Sequence, residues 1–250
     1  MKFLLHCLLC AAVLLPLLAA QARAADGFSA LVFTKTAGFR HDSIPEGIAA
    51  VRKLAAENGF EVDATEDAGV FNPDSLGKYR VVIFLSTTGD VLNQEQEAAL
   101  QAWLQAGNGL VGIHAAADTE YEWEWYGGAV GAYFKSHPPG IHEATVEVED
   151  PAHLSTAHLP EQWVRTDEWY NYHHNPRERV HVLLTLDERT YDGGEMGDDH
   201  PIAWMHEYDG GRVWYTGGGH TAESFSEPAF VQHMLGGILW SAGDNTGEMP

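Results

Sequence analysis

Cysteine is nearly missing: of 250 residues only Cys7 and Cys10 carry a thiol, and both fall in the first ten. Past that segment no disulfide framework can form and no thiolate can serve as nucleophile or metal ligand. Stability has to come from a packed core. Basic side chains are also scarce, 14 Lys and Arg against 36 Asp and Glu, for a formal net charge of −22. That field repels phosphate backbones and anionic lipid surfaces, so nucleic acid is not an expected partner. A neutral or cationic small molecule fits better, and plain solubility accounts for the same charge. Internal repeats, coiled-coil heptads and low-complexity blocks are absent, as is any His-Glu-x-x-His or comparable metal-ligand spacing.

What is present starts with a leader. Lys2 precedes an apolar run over residues 3–20, interrupted by His6 and Pro16, and Ala22-Arg23-Ala24 follows as a small-x-small pattern. Residues 1–24 read as a signal peptide removed on export, which predicts a periplasmic or secreted protein. The alternative is an uncleaved anchor, since about 18 apolar residues can just span a bilayer. Residues 25–250 suffice for one domain, monomeric or homodimeric, with no membrane contact after cleavage.

Within it, β-branched and aromatic runs alternate with helical patterns. Residues 29–34, 60–64, 81–85 and 109–114 read as strands, and the unbroken apolar stretch at 81–85 is of the kind buried on both faces of a parallel sheet. Ser43 with Glu46 forms a capping-box signature, and Asn58-Gly59 stops the helix that follows. A second helix spans 94–106. Such alternation predicts a doubly wound, mostly parallel α/β sheet of flavodoxin-like type. Residues 120–140 form a long connection with an acidic and aromatic start, and loops of that length inside a compact domain are usually functional. Further strands are expected at 144–149, 163–170, 180–186, 201–208 and 212–216, with a closing helix at 227–240.

Two histidines stand at strand ends, His114 in Gly112-Ile113-His114-Ala115-Ala116 and His220 in Gly217-Gly218-Gly219-His220. Loops at the carboxyl ends of parallel strands form the ligand crevice, and imidazole titrates near neutrality, so the two are expected to divide acid and base roles. The bland alternative for each is a core histidine bonded to a carbonyl. Asp167-Glu168 ends a strand-like run, with Glu168 the candidate to orient an imidazole and Asp167 or Tyr170 to meet a sugar; alternation sends the two carboxylates to opposite faces. Arg40 and His41 lie before a helix amino end suited to an anion or vicinal hydroxyls. Trp123, Trp125 and Tyr126 offer flat faces for a sugar ring, and Asp118 and His137 offer polar contacts. A divalent metal remains open, with His41, His114 and His220 the ligands that separate loops could bring together.

Six fragments in order carry a resemblance: Gly38-Phe39-Arg40-His41, Gly112-Ile113-His114-Ala115-Ala116, Ser136-His137-Pro138, Asp167-Glu168-Trp169-Tyr170, His200-Pro201-Ile202-Ala203-Trp204 and Gly218-Gly219-His220. Together, over about residues 31–240, they resemble the ThuA-like family of trehalose-utilisation type. The resemblance implies a sheet of the class I glutamine amidotransferase type and an association with sugar catabolism. Amidotransferases of that superfamily place a cysteine on the sharp turn after a central strand and a histidine after the last strands. Here His114 and His220 stand in those places, so glutaminase thioester chemistry is excluded and the scaffold is expected to run a different reaction. The expectation is an exported carbohydrate-active hydrolase or lyase acting on a glycoside or keto-sugar. A non-catalytic sugar- or partner-binding module and a metal-dependent hydrolase are the alternatives.

Overall fold

The computed structural model describes residues 27–243; the leader expected at 1–24 lies outside them. Chain order runs β1 (Ser29–Phe33), α1 (Ile44–Asn58), β2 (Glu61–Thr65), α2 (Pro73–Leu76), β3 (Val81–Leu85), α3 (Gln94–Gln105), β4 (Gly109–Ile113), α4 (Glu124–Val130), β5 (Phe134–Ser136) and β6 (His142–Val148). It continues through β7 (Gln162–Asp167), β8 (Asn171–Tyr172), β9 (His181–Asp187), β10 (Pro201–Tyr208), β11 (Gly211–Thr216) and α5 (Pro228–Ala242). The main sheet has nine strands in the order β2-β1-β3-β4-β11-β10-β9-β6-β7, and β5 and β8 form a small second sheet. From β2 to β11 every pairing is parallel. From β11 to β7 every pairing is antiparallel. The doubly wound α/β class expected from the sequence is what forms, extended by an antiparallel wing.

Burial explains the two halves. The five residues of β3, Val-Val-Ile-Phe-Leu, are all fully buried, because helices cover both faces of a parallel sheet. Each such side chain contributes about 1.5–3 kcal/mol over its exposed state. β7 instead alternates exposed and buried residues, as a strand with one wet face does. The helix layers follow from alternation along β11. Trp214 abuts Gly237 of α5, where a Cβ would lie 2.3 Å from the ring, whereas Gly211 abuts Leu104 of α3. Positions 211 and 214 point to opposite faces, so α3 and α5 sandwich the sheet.

Local details differ from the sequence reading in two informative places. Ser43 does not cap α1; it has helical backbone angles and its hydroxyl donates instead to the Gly219 carbonyl at 3.3 Å. The capping box that does form is Asn93 with Gln96, at the start of α3. Residues 120–140 are not one long loop, since α4 and β5 lie within them. No helix among the described residues is long and apolar enough to cross a membrane.

The order of strands fixes where a site can be. β1 has β2 on one side and β3 on the other, so crossovers leave in opposite directions and a crevice opens at the carboxyl rim. Bridges from Thr36 to Thr88 and from Gly89 to Thr119 tie the loops after β1, β3 and β4 together there.

Candidate active site

The loop after β1 is set by Thr88. The Ala37 and Gly38 amides donate to the Thr88 carbonyl at 2.7 and 3.3 Å, and the Thr88 hydroxyl donates to the Phe39 carbonyl at 2.8 Å. This turns His41 inward, 4% exposed, and leaves Phe39 66% exposed beside it, its ring edge-on to His41 at 4.9 Å.

His114 follows β4 directly with φ of +51°, a left-handed backbone that costs a non-glycine residue on the order of 1 kcal/mol and clusters at functional sites. Its ring is fully buried, and Nδ1 lies 2.8 Å from the Gly217 carbonyl. A carbonyl only accepts, so Nδ1 carries the proton and Nε2 presents a lone pair in the neutral ring. The Tyr170 ring packs against it at 4.2 Å.

His220 arrives on the glycine turn after β11, where Gly219 has φ of +110°. Asp167, fully buried, holds that turn from behind. Its carboxylate accepts from the Gly219 and His220 amides at 2.8 and 3.1 Å and from the Ser224 hydroxyl at 3.0 Å, and pairs with Arg165 at 3.0 Å. Glu168, one residue on, turns to the rings themselves. Its Oε1 lies 3.2 Å from His220 Nδ1 and 3.5 Å from His114 Nε2, and its Oε2 lies 3.1 Å from His137 Nδ1. The two neighbouring carboxylates thus divide the work, one on the turn and one on the imidazoles.

His114 Nε2 and His220 Nδ1 are 3.3 Å apart. The two histidines expected to share a hollow do meet at the carboxyl rim, but no reacting atom fits between them. With His41 and Glu168 they form one cluster whose nearest polar atoms all lie within 4.8 Å of one another. The electrostatics follow from this crowding. Burial works to raise the Glu168 carboxyl, yet its contacts with the His114 and His220 rings outweigh it and hold the group below the usual carboxylate range. Glu168 in turn raises His220. Burial, then the neighbouring His114 and His220, lowers His41 to about 3.

The other sequence candidates separate. His137 and Tyr170 join the cluster, the former partly exposed. Asp118 is half-buried near His114 but its carboxylate accepts from Tyr121 at 2.6 Å, and burial raises its pKa. Arg40 turns to the surface, where it pairs with Glu66 at 2.7 Å. Trp123 and Trp125 stack on each other at 4.8 Å, and Trp125 donates to Asp209 at 2.7 Å. Asp209 precedes β11, at the opposite end of the strand from His220. Tyr126 is buried and donates to the Ala116 carbonyl. These rings pack α4 onto the sheet and do not line the cluster. Arg165 and Ser224, which the sequence reading passed over, and Ser43, which it read as a helix cap, all act on the His220 turn; an arginine inside a strand-like run of a chain so poor in basic residues was the available signal.

Comparison with known proteins matches residues 29–241 to the ThuA family, described as trehalose utilisation. A solved ThuA-like protein from Bacteroides uniformis ATCC 8492 is 25% identical, with 88% of this chain and 94% of that one covered and a TM-score of 0.76. One from Parabacteroides merdae ATCC 43184 is 21% identical over 90% and 93% of the two chains, with a TM-score of 0.72. A β-galactosidase from Bacillus circulans sp. alkalophilus shares the fold at 12% identity and a TM-score of 0.55, over 87% of this chain but 31% of that enzyme. No curated protein matches.

Proposed function

The chain belongs to the trehalose utilisation (ThuA) family, and on that premise we propose that it is an exported carbohydrate-active enzyme, a hydrolase or lyase acting on a glycoside or keto-sugar. One observation carries the reading: a single carboxylate, Glu168, meets Nδ1 of two partly exposed imidazoles, His220 at 3.2 Å and His137 at 3.1 Å. His137 Nδ1 also lies 2.9 Å from the Pro138 carbonyl. With only acceptors beside it, that nitrogen carries the proton, so Nε2 of the ring faces the ligand side. A carboxylate behind Nδ1 fixes the tautomer and raises the basicity of the outer nitrogen, and each positioned acid or base is worth about 10²–10⁴-fold in rate.

On a 3-keto-glycoside, His220 takes the C–H proton acidified by the adjacent carbonyl, the glycosidic C–O bond breaks, and the departing oxygen receives its proton from His137. His114, sealed and strained, keeps the His220 ring in place. The apolar N-terminal run, read as a leader, and the excess of acidic over basic side chains support export and a small neutral substrate over nucleic acid or a membrane. Whole-protein assays on a 3-keto-glycoside test the reading: His137→Ala and His220→Ala each lower turnover at least about a hundredfold with an unchanged melting curve. A wild-type protein that gains thermal stability with the sugar and returns it unaltered is a binding module, and the enzyme reading falls.

A further inference from the structure

We propose that the cluster of His41, His114, Glu168 and His220 is a binding site for one divalent first-row transition-metal ion, of the zinc or cobalt type. The inference rests on the reading of this cluster as the reactive centre, and deepens it.

The argument is geometric. His114 Nε2, His220 Nδ1 and Glu168 Oε1 form a triangle with edges of 3.3, 3.2 and 3.5 Å. Tetrahedral bonds of about 2.0–2.1 Å to nitrogen or oxygen separate neighbouring ligand atoms by about 3.3–3.4 Å. A point equidistant from these three atoms lies about 1.9 Å from each, so an ion with such bonds sits slightly out of their plane. The fourth member lies beside them, all four ligand atoms falling within 4.8 Å of one another. His41 is buried, its ring is edge-on to both His114 and His220, and its Nδ1 has no hydrogen-bond partner. A buried polar atom without a partner costs on the order of 1–3 kcal/mol unless something absent from the protein atoms meets it.

The outer contacts have the form that metal ligands require. His114 donates its other nitrogen to the Gly217 carbonyl, the arrangement that fixes the tautomer of a ligating histidine and points the lone pair inward. Glu168 keeps its second oxygen on His137, and the Asp167 carboxylate pins the two amides of the His220 turn. Three imidazoles with one carboxylate and no thiolate suit zinc, cobalt, nickel or iron(II), and disfavour calcium and magnesium, which prefer oxygen alone. Ligands come from the turns after β1, β4, β7 and β11, which is why no local spacing announces them. With an ion bound, His220 Nδ1 would be a ligand and its ring no longer the base of the reading above; His137 would then take the C–H proton and return it to the departing oxygen.

The test uses the full chain stripped with chelator, then titrated with Zn²⁺ and, separately, Co²⁺. One ion per chain is expected, together with an intense visible Co²⁺ spectrum of four-coordinate type and a melting temperature that rises with Zn²⁺. His41→Ala, His114→Ala and Glu168→Gln each weaken binding at least about a hundredfold, since even outer-shell partners of a metal ligand are worth 10–100-fold. His173→Ala, on the surface, leaves it unchanged. Substoichiometric uptake by the wild type, or affinity indifferent to the three variants, overturns the proposal; should a variant fail to fold, the wild-type stoichiometry and cobalt spectrum still decide. Stoichiometric binding without sugar turnover sinks the enzyme reading and leaves the metal site standing. Turnover that survives complete stripping, together with substoichiometric uptake, does the reverse.

Discussion

Two groups of buried histidines lie on this fold, and they are built on opposite plans. On the α5 side, His233 is fully buried with Nδ1 on the Ser155 carbonyl at 2.7 Å and Nε2 on the Thr216 hydroxyl at 3.3 Å. His153 beside it takes the Ser155 hydroxyl at 2.8 Å. Their hydrogen-bond partners are uncharged, so burial dominates and lowers the two rings to about 3 and about 4. At the carboxyl rim, imidazoles face one another and a carboxylate, on a strained backbone. Burial alone does not tell them apart, since His114 and His41 are as hidden as His233 and His153, while His220 is partly exposed. What separates the two groups is whether the hydrogen-bonded ring nitrogens meet uncharged groups or other ionisable side chains. His200 stands between the two, one nitrogen on the Glu188 carboxylate and the other on the Tyr170 carbonyl.

The sharpest break in this comparison is expected at Asp167, which supports the rim from below. Asp167→Ala leaves Arg165 buried with only Glu227 as a charged partner and frees the His220 turn; chemical denaturation should show a loss of about 3–5 kcal/mol, and sugar turnover should fall with it. Next comes His233→Ala, expected to lower stability by about 2–3 kcal/mol through lost hydrogen bonds and a cavity, while a kinetic assay finds kcat unchanged. If kcat fell as steeply as in His220→Ala, the distinction between the two groups would collapse.

The acid limb of stability sharpens it further. His233 and His153 have folded pKa values below the unfolded 6.5, so the unfolded chain binds protons that the native one refuses. Their stabilising contribution is complete above pH 6.5 and falls with decreasing pH toward about 4 and about 3, by up to ~1.4 kcal/mol per unit for each ring. Denaturation midpoints from pH 7 to 4 should fall more gently in His233→Gln. The smallest effect is expected at Arg40, paired with Glu66 on the surface. Arg40→Ala should change stability by less than about 1 kcal/mol in the same assay.

Legibility in the sequence followed the range of the interactions. The unbroken apolar stretch of β3 and the strand-ending positions of His114 and His220 are local patterns, and both could be read directly. That Glu168 meets three imidazoles depends on where β7 ends, which depends on a sheet order no single segment encodes. Trp123, Trp125 and Tyr126 misled for the converse reason. Density along the chain looked like a platform, whereas α4 turns those rings onto Tyr208, Asp209 and Ala116. Phe39, alone in a polar loop, is the exposed ring beside the cluster. Ser43 shows the same limit in miniature: its spacing to Glu46 spelled a local cap, and a carbonyl 176 positions away won its hydroxyl.

That long-distance bond sets a timetable. The cluster draws its members from the earliest and the latest turns of the sheet, so a partly synthesised chain cannot assemble it until its final strand docks. Whatever the four side chains hold together is thereby reserved to the completed fold.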